Sequence, residues 1–99
     1  MKIRFLEVAE SELDETIAYY DKESPGLGSV FLTEVLSSLE RIKAFPAAWH
    51  PLGKTARRCQ TRRFPYGIIY TVGESEILIL AIAHLHREPN YWRDRLNQD

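Results

Sequence analysis

The chain has 99 residues, 44% of them hydrophobic and 11% aromatic, and a formal net charge of −1. That length supports one core and therefore one domain over 1–99, and the apolar share excludes intrinsic disorder. The longest apolar run, Ile77–Ala83, is too short to span a bilayer, the acidic start MKIRFLEVAESE lacks the apolar stretch of a secretion signal, and the single Cys59 excludes an internal disulfide. The expectation is a cytoplasmic protein with no membrane association.

In chain order, Ile3 and Phe5 alternate with Lys2 and Arg4, which predicts a short half-buried first strand. Ala9, Leu13, Ile17 and Tyr20 then recur at helical spacing with acids on the opposite face. The SPGLG of Ser24–Gly28 breaks that helix, because proline cannot continue the hydrogen-bond ladder and glycine favours turns. A second helix carries Phe31, Val35, Leu39 and Ile42, with Leu32 and Leu36 widening the stripe, so the two helices should form an antiparallel hairpin. FPAAWHPLGK, with two prolines and a glycine, reads as a loop. ARRCQTRRF is a strand candidate, and YGIIYTV is a second, with Tyr66, Ile68, Tyr70 and Val72 on one face. GES marks a hairpin turn, and EILILAIA is apolar on both faces, as a strand in the middle of a covered sheet must be. Pro89 or Asn90 can start a short last helix. The order β-α-α-β-β-β-α is that of an α+β domain, a curved sheet packed on a helical hairpin.

Charge is unevenly spread. Residues 1–50 carry five Lys/Arg and nine Asp/Glu, while 51–99 carry eight and five. The basic excess lies in KTARRCQTRR, where Lys54, Arg57, Arg58, Arg62 and Arg63 face no acid in the sequence. Such a run suits phosphate or an acidic partner, and equally suits an edge strand guarded by charge. No P-loop, GxGxxG, nucleophile elbow, paired-carboxylate or CxxC pattern occurs, so conventional nucleotide binding and hydrolase chemistry are not expected.

Side-chain chemistry concentrates in AHLHREPNYW, Ala83–Trp92. His84 and His86, two apart on a strand, would share a face. Zinc needs a third ligand that the sequence does not supply, so no metal or cofactor is expected, and general acid–base work is the better functional option. Arg87 has the guanidinium geometry for phosphate or carboxylate. Its structural alternative is an ion pair with Glu88 or Asp94 and stacking on Trp92. Tyr19, Tyr20, Tyr66 and Tyr70 fit the amphipathic stripes and read as structural. Cys59 sits on a strand next to Arg58, whose side chain points to the other face, so the thiol should stay unactivated.

ETIAYYDKESPGLGSVFLTEVLSSLERIKAFP, RRFPYGIIYTV and ILAIAHLHREPNYWRDR together resemble, in order and over nearly the whole chain, the RelE/ParE superfamily of bacterial toxins. The resemblance implies the same β-α-α-β-β-β architecture and a toxin of a type II toxin-antitoxin system, linked to growth inhibition and plasmid stabilization. It also implies a cognate antitoxin that wraps and neutralises the toxin, in a homodimer or a heterotetramer with that antitoxin. RelE-like members cut mRNA on the ribosome without metal. The 2′-hydroxyl attacks the adjacent phosphate and cationic groups stabilise the charge that develops. Arg87 matches the arginine at the end of their last strand and Tyr91 their C-terminal tyrosine. His86 is a second proton carrier, and Arg63 or Arg62 supplies charge nearby. Many of these nucleases carry a further arginine directly before the apolar pair of the preceding strand, and here that position is Gly67. One lost cation costs roughly 3 kcal/mol of transition-state stabilisation. The departure directs the reading to the ParE-like branch, which inhibits DNA gyrase. Lys54, Arg57, Arg58, Arg62, Arg63, Arg87 and Trp92 would then contact the target or partner. A degenerate member that only binds its antitoxin is the third reading.

Overall fold

The computed structural model describes residues 1–97. It contains β1 (Lys2–Phe5), α1 (Glu7–Glu23), α2 (Leu27–Ala44), β2 (His50–Leu52), β3 (Ala56–Gln60), β4 (Tyr66–Val72), β5 (Glu76–His84) and a closing 3₁₀ turn, Arg93–Asn97. The strands form one sheet in the order β1-β5-β4-β3-β2. β2 to β5 pair antiparallel, and β1 lies parallel to β5, with Lys2 opposite Glu76 and Phe5 opposite Ile79. A parallel pair needs a long crossover, and the helical hairpin begins it.

The hairpin forms where SPGLG predicts the break. Gly26 takes φ 90°, a left-handed turn open to glycine, and Asp21 Oδ1 accepts the Gly28 N–H at 2.8 Å, one of the free donors at the start of α2. Gly28 lets the helices meet: a Cβ there would lie 2.5 Å from the Ile17 carbonyl oxygen and 2.7 Å from Asp21 Cγ. Gly28→Ala should therefore destabilise the protein by about 1–3 kcal/mol, as overpacking does, although alanine is the better helix former. A urea midpoint equal to wild type would show that the hairpin can open without cost.

Phe31, Val35, Leu39 and Ile42 are buried as their spacing predicts, and Leu36, expected to widen the stripe, is 53% exposed on the outer face of α2. Ile77–Ala83 is buried throughout, as a doubly covered central strand requires. The helices cover one face; Trp92, 1% exposed, belongs to the segment that covers part of the other. A bulge between Ile69 and Tyr70 pairs Ile69 with Ala81 and Tyr70 with Ile79, which leaves Leu80 as the extra residue and bends the sheet.

The sequence expectation differs from the structure at two places on this edge. FPAAWHPLGK contains β2, and Pro51 is tolerated because an edge strand has one side with no ladder to feed. The strand in ARRCQTRRF ends at Gln60. Thr61 Oγ1 then bonds the carbonyls of Phe64 and Tyr66 at 3.1 and 3.0 Å, and Arg63 adopts φ 70°, so Arg62 and Arg63 ride on a tight turn.

Candidate functional site

β1 ends opposite Ile79, so the outer edge of β5 beyond that point has no strand partner among the described residues. Side chains take its place. Glu12, from α1, accepts the Ile82 N–H on Oε1 at 3.1 Å. Arg95 donates to the Leu80 carbonyl at 2.9 Å and grips Glu12 with two bonds, at 2.9 and 3.0 Å. The Tyr91 hydroxyl donates to Glu12 Oε2 at 3.1 Å. The backbone groups of a bulged, partnerless edge are thus satisfied by a carboxylate and a guanidinium, which also fasten the C-terminal segment to α1.

Arg87 leaves the end of β5 into solvent, its guanidinium 5.0 Å from the Tyr91 ring centroid. A cleft lies on each side of it. The larger, about 480 Å³, opens between α1 and β5 and is lined by Glu12, Glu15, Tyr19, Tyr66, His84 and His86. The smaller, about 110 Å³, lies on the opposite sheet face against Arg58, Ile69, Ala83, Leu85, Trp92 and Arg93.

A ladder of rings leads from the core to the first cleft: Phe31 to Tyr66 at 5.2 Å, Tyr66 to His84 at 5.1 Å, His84 to His86 at 5.4 Å. His86 stands in the turn after β5, yet the two imidazoles meet, and the His86 backbone N–H donates to His84 Nδ1 at 3.1 Å. That bond leaves the proton of neutral His84 on Nε2. Tyr19 is 56% exposed in this cleft, away from the apolar stripe assigned to it, whereas Tyr20, Tyr66 and Tyr70 pack inside.

The basic run does not act as one patch. Arg57 and Arg58, adjacent on β3, point to opposite faces: Arg57 donates to the Trp49 carbonyl at 2.8 Å, while Arg58 crosses Gly67. Lys54, Arg62 and Arg63 are exposed in turns, where the Arg62 backbone N–H binds Glu34 at 2.5 Å. Trp92, expected at the contact rim, is buried, with its indole N–H on the Pro89 carbonyl at 2.9 Å. The guanidinium over the Trp92 ring is that of Arg93, at 4.7 Å, and Arg87 makes no ion pair with Glu88 or Asp94 among the described residues. Burial pushes the Cys59 thiol up, against the pull of Arg41 and Arg62, and keeps it protonated.

The second cleft alters the argument built on Gly67. A Cβ at this position would lie 2.7 Å from Arg58 Cγ and 2.8 Å from Cδ. The space that a β4 side chain would occupy is filled from β3, and a cation is carried across the register.

A family model described as the ParE toxin of type II toxin-antitoxin system, parDE, matches residues 3–89. The chain belongs to this family of toxins. A solved structure described as a chromosomal ParDE TA system from P. aeruginosa shares the fold at a TM-score of 0.77, with 20% identity over 87% of this chain and 97% of that one. No curated protein matches the chain. For this ParE-family toxin, Glu12, Arg58, Gly67 and Arg87 lie within the matched residues, while Tyr91 and Arg95 lie beyond them.

Neither Glu12 nor Arg95 stands out in the sequence as a site residue. One signal was present: Glu12 stands three residues after Ala9 and next to Leu13, beside the apolar stripe of α1, where a carboxylate needs a partner.

Proposed function

We propose that this type II toxin acts in the cytoplasm by inhibiting DNA gyrase and is neutralised by a cognate antitoxin. The observation that carries the choice of gyrase is the state of Tyr91. A cleaving enzyme of this superfamily needs a group near its C-terminus to move a proton. Here the Tyr91 hydroxyl already donates to Glu12, and burial, reinforced by the Glu12 carboxylate, pushes its pKa up to about 12. At neutral pH such a phenol neither accepts a proton nor releases one readily. A binding inhibitor needs no proton carrier, only exposed contacts such as Arg87.

The second reading, ribosome-dependent mRNA cleavage, draws support from Arg58. Its stem over Gly67 brings a guanidinium back to the neighbourhood where β4 lacks one, and His84 and His86 stand at the adjoining cleft. Neutralisation is supported by the exposed apolar residues Leu36 and Phe45 on and after α2, which suit an amphipathic partner segment.

Purified protein should inhibit gyrase supercoiling and leave mRNA on programmed ribosomes intact. Codon-dependent cuts with gyrase unaffected would overturn the reading, and silence in both assays would reduce the protein to an antitoxin binder. Co-expression with the product of the adjacent reading frame should yield a complex that loosens in high salt.

A further inference from the structure

The second cleft holds an unexplained arginine. Arg58 Nε is buried without a hydrogen-bond partner. The other partly buried guanidiniums are engaged: Arg95 on Glu12 and Leu80, Arg57 on Trp49, Arg41 on Ser38, Arg4 on Glu76. A buried N–H without an acceptor has lost its bond to water and gained nothing in return, so its position calls for a reason. Its stem is aimed by the fold: Gly67 leaves the hollow that Arg58 Cγ and Cδ fill, and Leu85 Cδ2, 3.3 Å from the same point, closes one side. Arg87 lines the same cleft, bound to no carboxylate among the described residues. Arg93 is held at the rim by Asn90 at 2.7 Å.

We propose that Arg58 and Arg87 form a carboxylate-binding pocket that takes an acidic side chain from an extended segment of a protein partner. Two features select a peptide carboxylate. The cleft is small, about 110 Å³, and its walls include Leu52, Ile69, Leu85 and Trp92, which suit the methylene stem of a glutamate. Arg87 also borders the cleft that contains Glu12 and Glu15. A nucleic acid strand continuing past Arg87 would bring further phosphates towards these acids, whereas a peptide brings a single charge. The one carboxylate lining the pocket among the described residues, Glu88, is exposed. Gly67 is the positioning residue, because it determines where Arg58 lies.

The choice of occupant rests on the reading of the chain as a toxin with a protein partner, but the test requires neither toxicity nor that partner. The whole purified chain is titrated with a dodecapeptide carrying Leu-Glu-Leu in a Gly/Ser background, while the arginine Nε–H signals are followed by NMR. The Arg58 signal should shift saturably, and Gln in place of the peptide Glu should abolish the shift. Arg58→Gln and Gly67→Ala should each weaken binding at least about tenfold, because a charge-assisted pair is lost or displaced. Lys22→Gln, an equal change of charge on the exposed last turn of α1, should leave binding unchanged. Should Gly67→Ala fail to fold, the comparison of Arg58→Gln with Lys22→Gln decides alone. No saturable shift, equal loss from Lys22→Gln, or a thymidine dodecamer that outcompetes the peptide would overturn the pocket. A chain that shifts at Arg58 yet ignores gyrase and ribosomes would keep the pocket and sink the proposed mechanism.

Discussion

Glu12→Ala should cost about 3–5 kcal/mol of stability, a large share of the roughly 5–15 kcal/mol that holds a domain of this size folded. The carboxylate and the Arg95 guanidinium are only 13% and 12% exposed, so neither is solvated enough to stand alone. Removing the carboxylate strips the acceptor from the Ile82 N–H, the Tyr91 hydroxyl and two Arg95 nitrogens at once, and it leaves a buried cation unpaired. Glu12→Gln keeps one oxygen acceptor and the side-chain shape, so it should lose less. Arg95→Met keeps the packing and drops the charge, which strands the carboxylate in turn. The double variant Glu12→Gln/Arg95→Met should recover part of the sum, as coupled neighbours do. Urea denaturation midpoints measure the series, and amide exchange at Ile82 reports whether the β5 edge opens with it. A Glu12→Ala loss below about 1 kcal/mol would mean that water replaces the carboxylate and that the clamp does not hold the edge.

That clamp also marks the limit of what the sequence discloses. α2 is legible because Phe31, Val35, Leu39 and Ile42 repeat at one helical face, and β5 because Ile77–Ala83 is apolar at every position. β2 is hidden, since Pro51 and its neighbours carry loop composition and an edge strand needs only one side of its backbone. The end of β3 depends on the left-handed backbone at Arg63, for which an arginine gives no sign. At the site, Arg87, Tyr91 and the two histidines fall close together in the chain and can be found by eye. Glu12 and Arg95 are 83 residues apart and meet only because β1 stops short of the end of β5. Arg58 and Gly67 meet through strand register: Arg58 lies opposite Ile69 and Gly67 opposite Gln60, a diagonal that no local pattern reports. Trp92 misleads in the other direction. An aromatic residue beside exposed charges reads as a contact, but its indole finds the Pro89 carbonyl and turns inwards.

Arg87→Ala separates inhibition from cleavage more sharply than any other single change. The side chain is exposed and stacked on Tyr91, and it bonds neither Glu12 nor Arg95 among the described residues, so the fold should survive its loss with a melting temperature close to wild type. For a gyrase inhibitor, Arg87 is one contact among several. Its truncation should weaken inhibition of supercoiling by about 1–3 kcal/mol, roughly five- to 150-fold in the half-inhibitory concentration, with full inhibition still reached at high protein. For a nuclease, the same guanidinium would face a charge that exists only in the transition state. Cleavage would then fall by roughly 10²–10³-fold while ribosome binding changed little, and added protein would not restore it. The shape of the dose response therefore carries the answer: a curve displaced along the concentration axis supports binding, and a plateau lowered at saturating protein supports chemistry. A lowered plateau on ribosomes, with wild-type protein inactive on gyrase, would replace the gyrase reading by the nuclease one, with Arg58 and Arg87 as its cations.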